Sequence, residues 1–214
     1  PIPISGEAPT GGQQFIALRT PVGLATDQVG LILPTSLCSG QVASISAKLL
    51  TTKGIGDEHG VSRFVALVHT EGCGMAGGMA ERMYARTMVG YLTHPLVRFA
   101  ILLEHGCEKT HNDYLRHELE VLGISTEAFG WASIQLDGGI DNVLRKTESW
   151  FVEQFANSEP PEPVGADLSN LAIGLVARGP ISDSTALTLA SLTRFMVGAG
   201  GTVILPEDCD LFRS

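Results

Sequence analysis

The run Val-Gly-Leu-Ile-Leu at residues 29–33 is almost continuously apolar, and it decides the fold class of the chain. Strands that are buried on both faces of a parallel sheet form short apolar runs of this kind, whereas half-exposed strands alternate in polarity. Five similar runs follow it along the chain: Phe64–Val68, Phe99–Leu103, Trp131–Leu136, Leu171–Val176 and Thr202–Leu205. We therefore expect a parallel sheet that contains residues 29–33 as one of its strands.

Longer amphipathic segments lie between these runs and predict helices. They are Gln41–Leu50, Met79–Leu92, Asn112–Leu122, Gly139–Phe155 and Ser184–Val197. Asn112 is predicted to cap the third helix and Gly123 to end it, and Ser182 or Asp183 is predicted to cap the last one. Strands and helices that alternate about every 30 residues are typical of α/β proteins. The predicted fold is α/β and doubly wound, with a mostly parallel sheet and helices on both faces.

The predicted elements divide the chain into four segments. Residues 1–20 are rich in Pro, Gly, Ser and Thr and are expected to form an irregular lead-in, and residues 21–156 form the main α/β domain. Residues 157–168, which contain Glu159-Pro160-Pro161-Glu162-Pro163, indicate a stiff acidic linker. Residues 169–214 form a β-α-β piece, which either adds strands to the same sheet or stands as a small subdomain.

The charge of the chain excludes two classes of partner. Its 214 residues include 14 Lys and Arg against 23 Asp and Glu, which gives a formal net charge of −9 at pH 7. So few basic residues do not build a positive face for nucleic acid or for an anionic membrane. We recognise neither a transmembrane segment nor a signal peptide, and therefore expect a cytoplasmic protein. Because Pro1 rather than Met comes first, we expect either a chain trimmed at its N-terminus or a domain excised from a longer protein.

The four cysteines are predicted to lie at one edge of the sheet. Cys38, Cys73, Cys107 and Cys209 each come shortly after a predicted strand. The carboxyl ends of parallel strands meet at one edge, where ligands bind in open α/β sheets. Four cysteines are too few for a disulfide scaffold, but converging thiolates and imidazoles are suited to a soft metal ion or an iron–sulfur cluster. The alternative is that the cysteines are small apolar residues that pack at turns.

Two histidines also follow predicted strands. His69 comes directly after the run that ends at Val68, and His105 lies between Glu104 and Gly106. Such a position suits an imidazole to acid–base chemistry. Each histidine is therefore a candidate catalytic residue, and the alternative for each is a structural role.

Glycines and basic residues near the same edge are candidates for binding the substrate. Gly72 and Gly74 permit a close backbone approach and offer amides to an anion, although tight turns also need glycine. Lys109 and Arg178 are the basic residues best placed to meet a carboxylate. A small carboxylate is accordingly the expected ligand.

Several short motifs occur in the order seen in one enzyme family. They are Leu33-Pro34-Thr35 with Cys38, His69-Thr70-Glu71-Gly72-Cys73-Gly74, His94-Pro95, Gly106-Cys107-Glu108 and the closing Ala199-Gly200-Gly201-Thr202-Val203-Ile204-Leu205. Through these motifs the chain resembles the altronate and galactarate dehydratases over roughly residues 23–209. Members of that family dehydrate sugar acids, or eliminate sulfite from sulfolactate, with a divalent metal ion that is usually described as iron.

The resemblance implies a metal-dependent hydro-lyase domain that acts on a sugar acid or a related small hydroxy acid. Such an elimination needs a base for the α-proton and an electrophile that stabilises the enolate and assists the leaving hydroxyl. The metal ligands that it implies are Cys38, Cys73 and Cys107. The residues that it suggests for acid–base chemistry or substrate contacts are His69 and Glu108, beside which His105 is our third catalytic candidate.

The chain departs from the family pattern at two places. Gly23-Leu24-Ala25-Thr26 stands where the family usually has Gly-Val-Arg-Asn, and Ala177-Arg178-Gly179-Pro180 where it has Cys-Gly-Gly-Ser-Asp, with Ser182-Asp183 as a shifted remnant. Three hypotheses therefore stay open: a hydro-lyase domain, a non-catalytic carboxylate-binding or regulatory module, and a structural domain of a larger enzyme. We also expect the chain to self-associate or to work with a partner domain or subunit.

Overall fold

The computed structural model describes residues 13–72, 74–75 and 77–207. These residues fall into two compact units. The larger unit comprises residues 18–162, and the smaller unit comprises residues 13–17 together with 163–207. Each of the six predicted apolar runs overlaps a strand, and each of the five predicted helices is present.

The elements follow one another along the chain with these bounds. The strands are β1 Gln14–Thr20, β2 Gly23–Ala25, β3 Val29–Pro34, β4 Arg63–Ala66, β5 Val97–Glu104, β6 Gly130–Ser133, β7 Pro163–Asp167, β8 Ala172–Gly174 and β9 Thr202–Ile204. The helices are α1 Leu37–Thr52, α2 Gly78–Leu92, α3 Asn112–Val121, α4 Ile140–Ala156 and α5 Asp183–Gly198. None of the helices within the described residues is both long enough and apolar enough to span a membrane.

Four strands of the larger unit form a parallel sheet in the order β4-β3-β5-β6. In the central pair of strands, Leu31 of β3 lies beside Ala100 of β5. From β3 the chain adds β4 on one side, and it then crosses over to add β5 and β6 on the other. The sheet order therefore reverses between β3 and β5, and the predicted doubly wound α/β fold is confirmed.

Helices cover both faces of this sheet because successive side chains of a strand point in opposite directions. Ile32 and Ile101 pack with residues of α1 and α4 on one face. Leu31 and Leu33 pack with residues of α2 and α3 on the other face. All six residues of β3 are buried, which explains why its sequence is so uniformly apolar.

The C-terminal end of α3 agrees with the sequence prediction, and its N-terminal cap does not. Gly123 follows the helix with a φ of +71°, as expected of a glycine that ends a helix. At the start, however, the cap is His111, whose Nδ1 accepts a hydrogen bond from the N–H of Tyr114. The side chain of Asn112, the predicted cap, instead donates to the Ala132 carbonyl. The prediction failed because that carbonyl comes from a neighbouring strand.

In the smaller unit, β8 and β9 pair in parallel and form a two-stranded sheet. The predicted β-α-β piece is therefore present, with α5 as its helix. This helix begins after Ser182, one of the two predicted caps, whose hydroxyl accepts a hydrogen bond from the N–H of Thr185. Met196 is the buried residue of α5, and the described strands β8 and β9 contain none. This unit thus has little apolar core within the described residues.

Three boundaries differ from the predicted ones. Gln14–Thr20 forms β1 inside the expected irregular lead-in, while residues 1–12 lie outside the described part of the chain. Pro163–Asp167 forms β7 inside the expected linker. The strand predicted over Trp131–Leu136 ends at Ser133, because the Asp137 carboxylate accepts a hydrogen bond from the Ser133 N–H and the chain turns there.

Candidate active site

The carboxyl edge of the sheet between β3 and β5 is its topological switch point, where ligands bind in open α/β sheets. Two connecting segments meet at this point. Thr35 and Ser36 join β3 to α1, with Ser36 as the N-cap of that helix, and residues 105–111 join β5 to α3. The candidate site consists of these two segments together with the loop after β4.

The Glu108 carboxylate accepts five hydrogen bonds at the switch point. Its Oε1 accepts from the Thr35 hydroxyl at 2.6 Å, the Ser36 hydroxyl at 3.0 Å and the His105 N–H at 2.9 Å. Its Oε2 accepts from the backbone N–H groups of the two preceding residues, at 2.7 and 2.9 Å. Glu108 is only 3% exposed. Because a carboxylate offers about four lone-pair sites, these donors leave no vacant acceptor on Glu108.

The electrostatics of this carboxylate follow from its surroundings. Burial raises the pKa of the Glu108 carboxyl, but the Thr35 hydroxyl and the backbone N–H groups of Glu108, His105 and Gly106 lower it by more. The net result is a pKa of about 2, against an ordinary value of 4.5. Glu108 is therefore ionised throughout the physiological pH range, and in this arrangement it does not act as a proton donor.

The loop that Glu108 holds presents an imidazole beside a thiol. His105 Nδ1 lies 3.2 Å from Cys107 Sγ, and Gly106 between them has a φ of +113°, which other residues rarely adopt. His105, Cys107 and Glu108 each bring a potential ligand atom to within 4.8 Å of the other two. Since the Glu108 oxygens already accept five hydrogen bonds, the imidazole and the thiol are the two groups of this cluster whose donor chemistry suits a metal ion.

His69 follows β4, on the other side of β3 from this loop. Its Nε2 lies 2.9 Å from the Pro34 carbonyl, which only accepts hydrogen bonds, so Nε2 carries the proton and Nδ1 holds the lone pair. Nδ1 is buried and has no hydrogen-bond partner among the described residues. An unpaired buried acceptor is costly, and a role in catalysis is one explanation for keeping it at this edge of the sheet.

Tyr84 of α2 connects the two parts of the site. Its ring meets that of His69 edge-on, with 5.7 Å between the ring centroids. Its hydroxyl donates to the Thr35 carbonyl at 2.8 Å, while the Thr35 side chain donates to Glu108. Burial holds the pKa of Tyr84 far above its usual range, so the phenol remains a donor. The end of β3 is thus bonded to both His69 and Glu108.

A cavity of about 460 Å³ lies beside His69, between the loop after β4 and α2. Most of its wall is apolar and includes Met75, Met83 and Met88, and Glu71 lies in the wall with His69. The volume falls within the range of small-molecule sites. His69 therefore lines a space that is large enough for a small organic acid.

The predicted metal ligands are only partly described. Cys38 is exposed in the first turn of α1, and Cys107 is exposed in the loop after β5. Cys73 lies outside the described residues, between Gly72 and Gly74. Among the described residues other than their chain neighbours, no atom lies within 4 Å of a Cβ added at either glycine. The structure thus brings Cys107, but not a complete set of three cysteines, to the described site.

The predicted basic contacts lie in different units. Lys109 is exposed and directly follows Glu108 in the larger unit. Arg178 is exposed in the smaller unit, between β8 and α5. Cys209 lies outside the described residues. Lys109 is accordingly the predicted basic contact that belongs to the same loop as His105.

Three residues of the site are not among the site residues predicted from sequence: Thr35, Ser36 and Tyr84. A signal for the first two was present, because adjacent hydroxyl residues directly after a fully buried strand and before a helix are suited to bind an anion. Nothing in the sequence around Tyr84 distinguishes it from an ordinary apolar position of α2. Glu104 was likewise not singled out by itself, although it is buried at the end of β5, with its carboxylate accepting the N–H of Asn112 at 2.6 Å.

Comparison with known proteins identifies the larger unit. Residues 24–155 match the family model described as D-galactarate dehydratase/Altronate hydrolase, second domain. A comparison with curated protein sequences returns no significant match. The matched range contains β3, β4, β5 and β6 with the loops that form the site. Because this match covers more than half of the chain, the protein belongs to the D-galactarate dehydratase/altronate hydrolase family.

Proposed function

We propose that this chain provides the site of a metal-dependent hydro-lyase that removes water from a sugar acid or a related small hydroxy acid. Membership of the dehydratase family supports the general class of reaction. The observation that carries the proposal is the His105–Cys107 pair, with 3.2 Å between Nδ1 and Sγ, at the switch point of the sheet. His69 adds a buried nitrogen lone pair at the same edge.

The donor chemistry of this pair fits a divalent metal ion such as iron. Thiolate and imidazole are ligands that transition metals accept, and a catalytic site keeps positions open for substrate. His105 and Cys107 would hold the ion, and Cys38 and Cys73 are the further ligands that the sequence predicts. When bound, the ion would supply Lewis acidity to a substrate oxygen.

The proton chemistry of the proposed reaction falls to His69. Since Nε2 is fixed by the Pro34 carbonyl, Nδ1 is the atom that can take the α-proton of a hydroxy acid. As that C–H bond breaks, its electron pair forms the carbon–carbon double bond, and the β-C–O bond breaks with its electrons on the departing oxygen. The proton that His69 Nδ1 has taken passes to that oxygen, which leaves as water, and the enol product then becomes a 2-keto acid.

Substrate contacts come from residues around the loops. We propose Lys109 and the backbone amides at Gly72 and Gly74 as donors to the substrate carboxylate, because each is near a loop of the site in sequence. Arg178 belongs to the smaller unit and is not assigned to this site. Glu108 enters the proposal as the group that holds the loop, since its oxygens already accept five hydrogen bonds.

The test is turnover by protein purified without air and reconstituted with ferrous iron. Galactarate, altronate and related acids would be screened for 2-keto acid formation. We expect turnover by the wild type, a loss of turnover in Cys107→Ser and His69→Gln, and wild-type turnover in His117→Gln, whose side chain is exposed on α3. Equal turnover in the wild type and Cys107→Ser would contradict the proposal.

A non-catalytic carboxylate-binding module is the second candidate function. The observation that favours it is the fully hydrogen-bonded Glu108, since one of the three predicted catalytic residues has no vacant oxygen. This candidate predicts that calorimetry detects binding of a sugar acid while no 2-keto acid forms, with or without iron. Turnover in the screen above would reject it.

A further inference from the structure

The donors around Glu108 make up a complete anion site built from three parts of the larger unit. Thr35 comes from the end of β3, Ser36 from the cap of α1, and the N–H groups of residues 105–107 from the loop after β5. Thr35 and Ser36 are both 0% exposed. All five groups donate to the carboxylate, which is the arrangement that proteins use to bind anionic ligands at switch points and helix N-termini.

The two hydroxyls of this set are buried and the three backbone N–H groups are partly buried. If the carboxylate were removed, the Ser36 hydroxyl and the three N–H groups would lose this acceptor, and the Thr35 hydroxyl would keep only the Leu103 carbonyl at 3.4 Å. The loop conformation depends on the same contacts, because three consecutive N–H groups turn toward one side chain. That turn also brings His105 Nδ1 to within 3.2 Å of Cys107 Sγ.

We infer that Thr35, Ser36 and the N–H groups of residues 105–107 form an internal anion-binding site that is permanently occupied by the Glu108 carboxylate. Glu108 is a positioning residue, which fixes the imidazole of His105 beside the thiol of Cys107. When its side chain is removed, the site takes a small free carboxylate such as formate or acetate. This inference goes beyond the proposed hydro-lyase reaction and depends on neither a metal ion nor turnover.

The occupied site has a consequence for substrate recognition. Helix N-termini and glycine-rich loops at a switch point usually bind the anionic group of the ligand. Here the Ser36 hydroxyl at the cap of α1 and the three N–H groups of the loop after β5 are occupied by the protein itself. A substrate carboxylate must therefore be bound by other groups, such as Lys109 or the backbone near Gly72.

The experiment is chemical rescue of Glu108→Ala. Thermal unfolding of this variant is measured in sodium formate and in sodium chloride at the same ionic strength, without added metal. Since formate would bind the folded state alone, we expect about 0.1 M formate to raise Tm by roughly 3 °C more than chloride does. Glu120→Ala, which removes an exposed carboxylate from α3, is the matched control and should show no difference between the salts.

A second variant separates filling of the site from its charge. Glu108→Gln keeps the side-chain volume but turns an amide toward N–H donors, so we expect it to be destabilised and not rescued by formate. Labelling of Cys107 by iodoacetamide, followed by mass spectrometry, reports the loop itself. The rate at which Cys107 is labelled should differ between Glu108→Ala and the wild type. Formate should return the labelling rate of Glu108→Ala toward the wild-type value.

Several outcomes decide the inference. If Glu108→Ala is unfolded, circular dichroism replaces the melting curve, and formate-dependent folding is the expected result. Equal effects of formate and chloride, equal rescue of Glu108→Gln, or a Cys107 labelling rate that formate leaves unchanged would each overturn the inference. Sugar-acid turnover plays no part in these measurements, so failure of the proposed reaction is distinguishable from failure of the anion site.

Discussion

The loops after β5 and after β4 lie at the same edge of the sheet but differ in how their polar groups are satisfied. In the first loop, the Glu108 carboxylate accepts five hydrogen bonds, and Thr35 and Ser36 beneath it are fully buried. In the second loop, one nitrogen of His69 is fixed and the other has no partner among the described residues. Glu108 therefore fixes the conformation of the loop after β5. His69 instead keeps a nitrogen lone pair of the kind that acid–base chemistry needs.

The largest expected effect is on turnover and concerns His69. In an enzyme with the proposed activity, His69→Gln should lower kcat by about a hundredfold or more, because general-base catalysis contributes on that scale. Gln retains an N–H for the Pro34 carbonyl, so the free energy of unfolding should change by less than about 1 kcal/mol. Steady-state kinetics and urea unfolding check both halves of this prediction.

The matched control for that change is His117→Gln, on the exposed part of α3. It should leave both kcat and stability at the wild-type values. A His69→Gln protein with full activity, or one that is destabilised as strongly as a Glu108 variant, would remove the distinction between the two loops.

The second effect is on stability and concerns Glu108. Its low pKa implies that the folded protein stabilises the ionised carboxylate by about 3 kcal/mol at neutral pH. Glu108→Gln should lower the free energy of unfolding by about that amount, as measured by urea denaturation at pH 7. Glu120→Gln, an exposed substitution on α3, should change it by less than about 0.5 kcal/mol. Equal stabilities of the two variants would contradict the role of Glu108.

The pH dependence of stability sharpens the same prediction. Folding lowers the pKa of Glu108 from 4.5 to about 2, so the unfolded chain binds this proton more tightly than the folded one. The stabilisation is therefore complete above about pH 4.5 and is lost as the pH falls toward 2. Urea denaturation of the wild type and of Glu108→Gln should show their difference shrinking across this window. A constant difference between pH 5 and pH 2.5 would show that the carboxylate charge is not its source.

The smallest expected effect concerns the residue between the two loops. Tyr84→Phe removes the hydroxyl that donates to the Thr35 carbonyl and should lower the free energy of unfolding by about 1 kcal/mol. Tyr91→Phe, on the same helix and 41% exposed, should have little effect in the same urea experiment. Equal losses in both variants would mean that the hydroxyl of Tyr84 does not support the end of β3.

The fold could be predicted from sequence because its central strands are buried on both faces. The apolar run at residues 29–33 forms β3, and α3 ends before Gly123, whose positive φ is typical of a glycine that ends a helix. The edge at which His105 and Cys107 lie also followed from the sequence, since it requires only that both come after a parallel strand. These features depend on local patterns and on one general rule of α/β sheets.

The contacts within the site could not be predicted in the same way. Thr35 and Glu108 are 73 residues apart, and they meet because β3 lies beside β5, a neighbour relation that apolar periodicity does not specify. From sequence, Glu108 is therefore predicted as an acid–base candidate, and its five hydrogen-bond donors are not predicted. The prediction that Asn112 caps α3 was wrong for a related reason, since the Asn112 side chain bonds to a carbonyl 20 residues away.

The most direct test of the proposed metal site is a Co²⁺ titration of air-free protein, followed by absorption spectroscopy. Cobalt bound to a thiolate gives an intense near-ultraviolet charge-transfer band, and imidazole and thiolate are ligands that it accepts. We predict that the band appears in the wild type and in His117→Gln and is lost or strongly reduced in Cys107→Ser. No band in the wild type, or an equal band in Cys107→Ser, would contradict the assignment of His105 and Cys107 as the metal-holding pair.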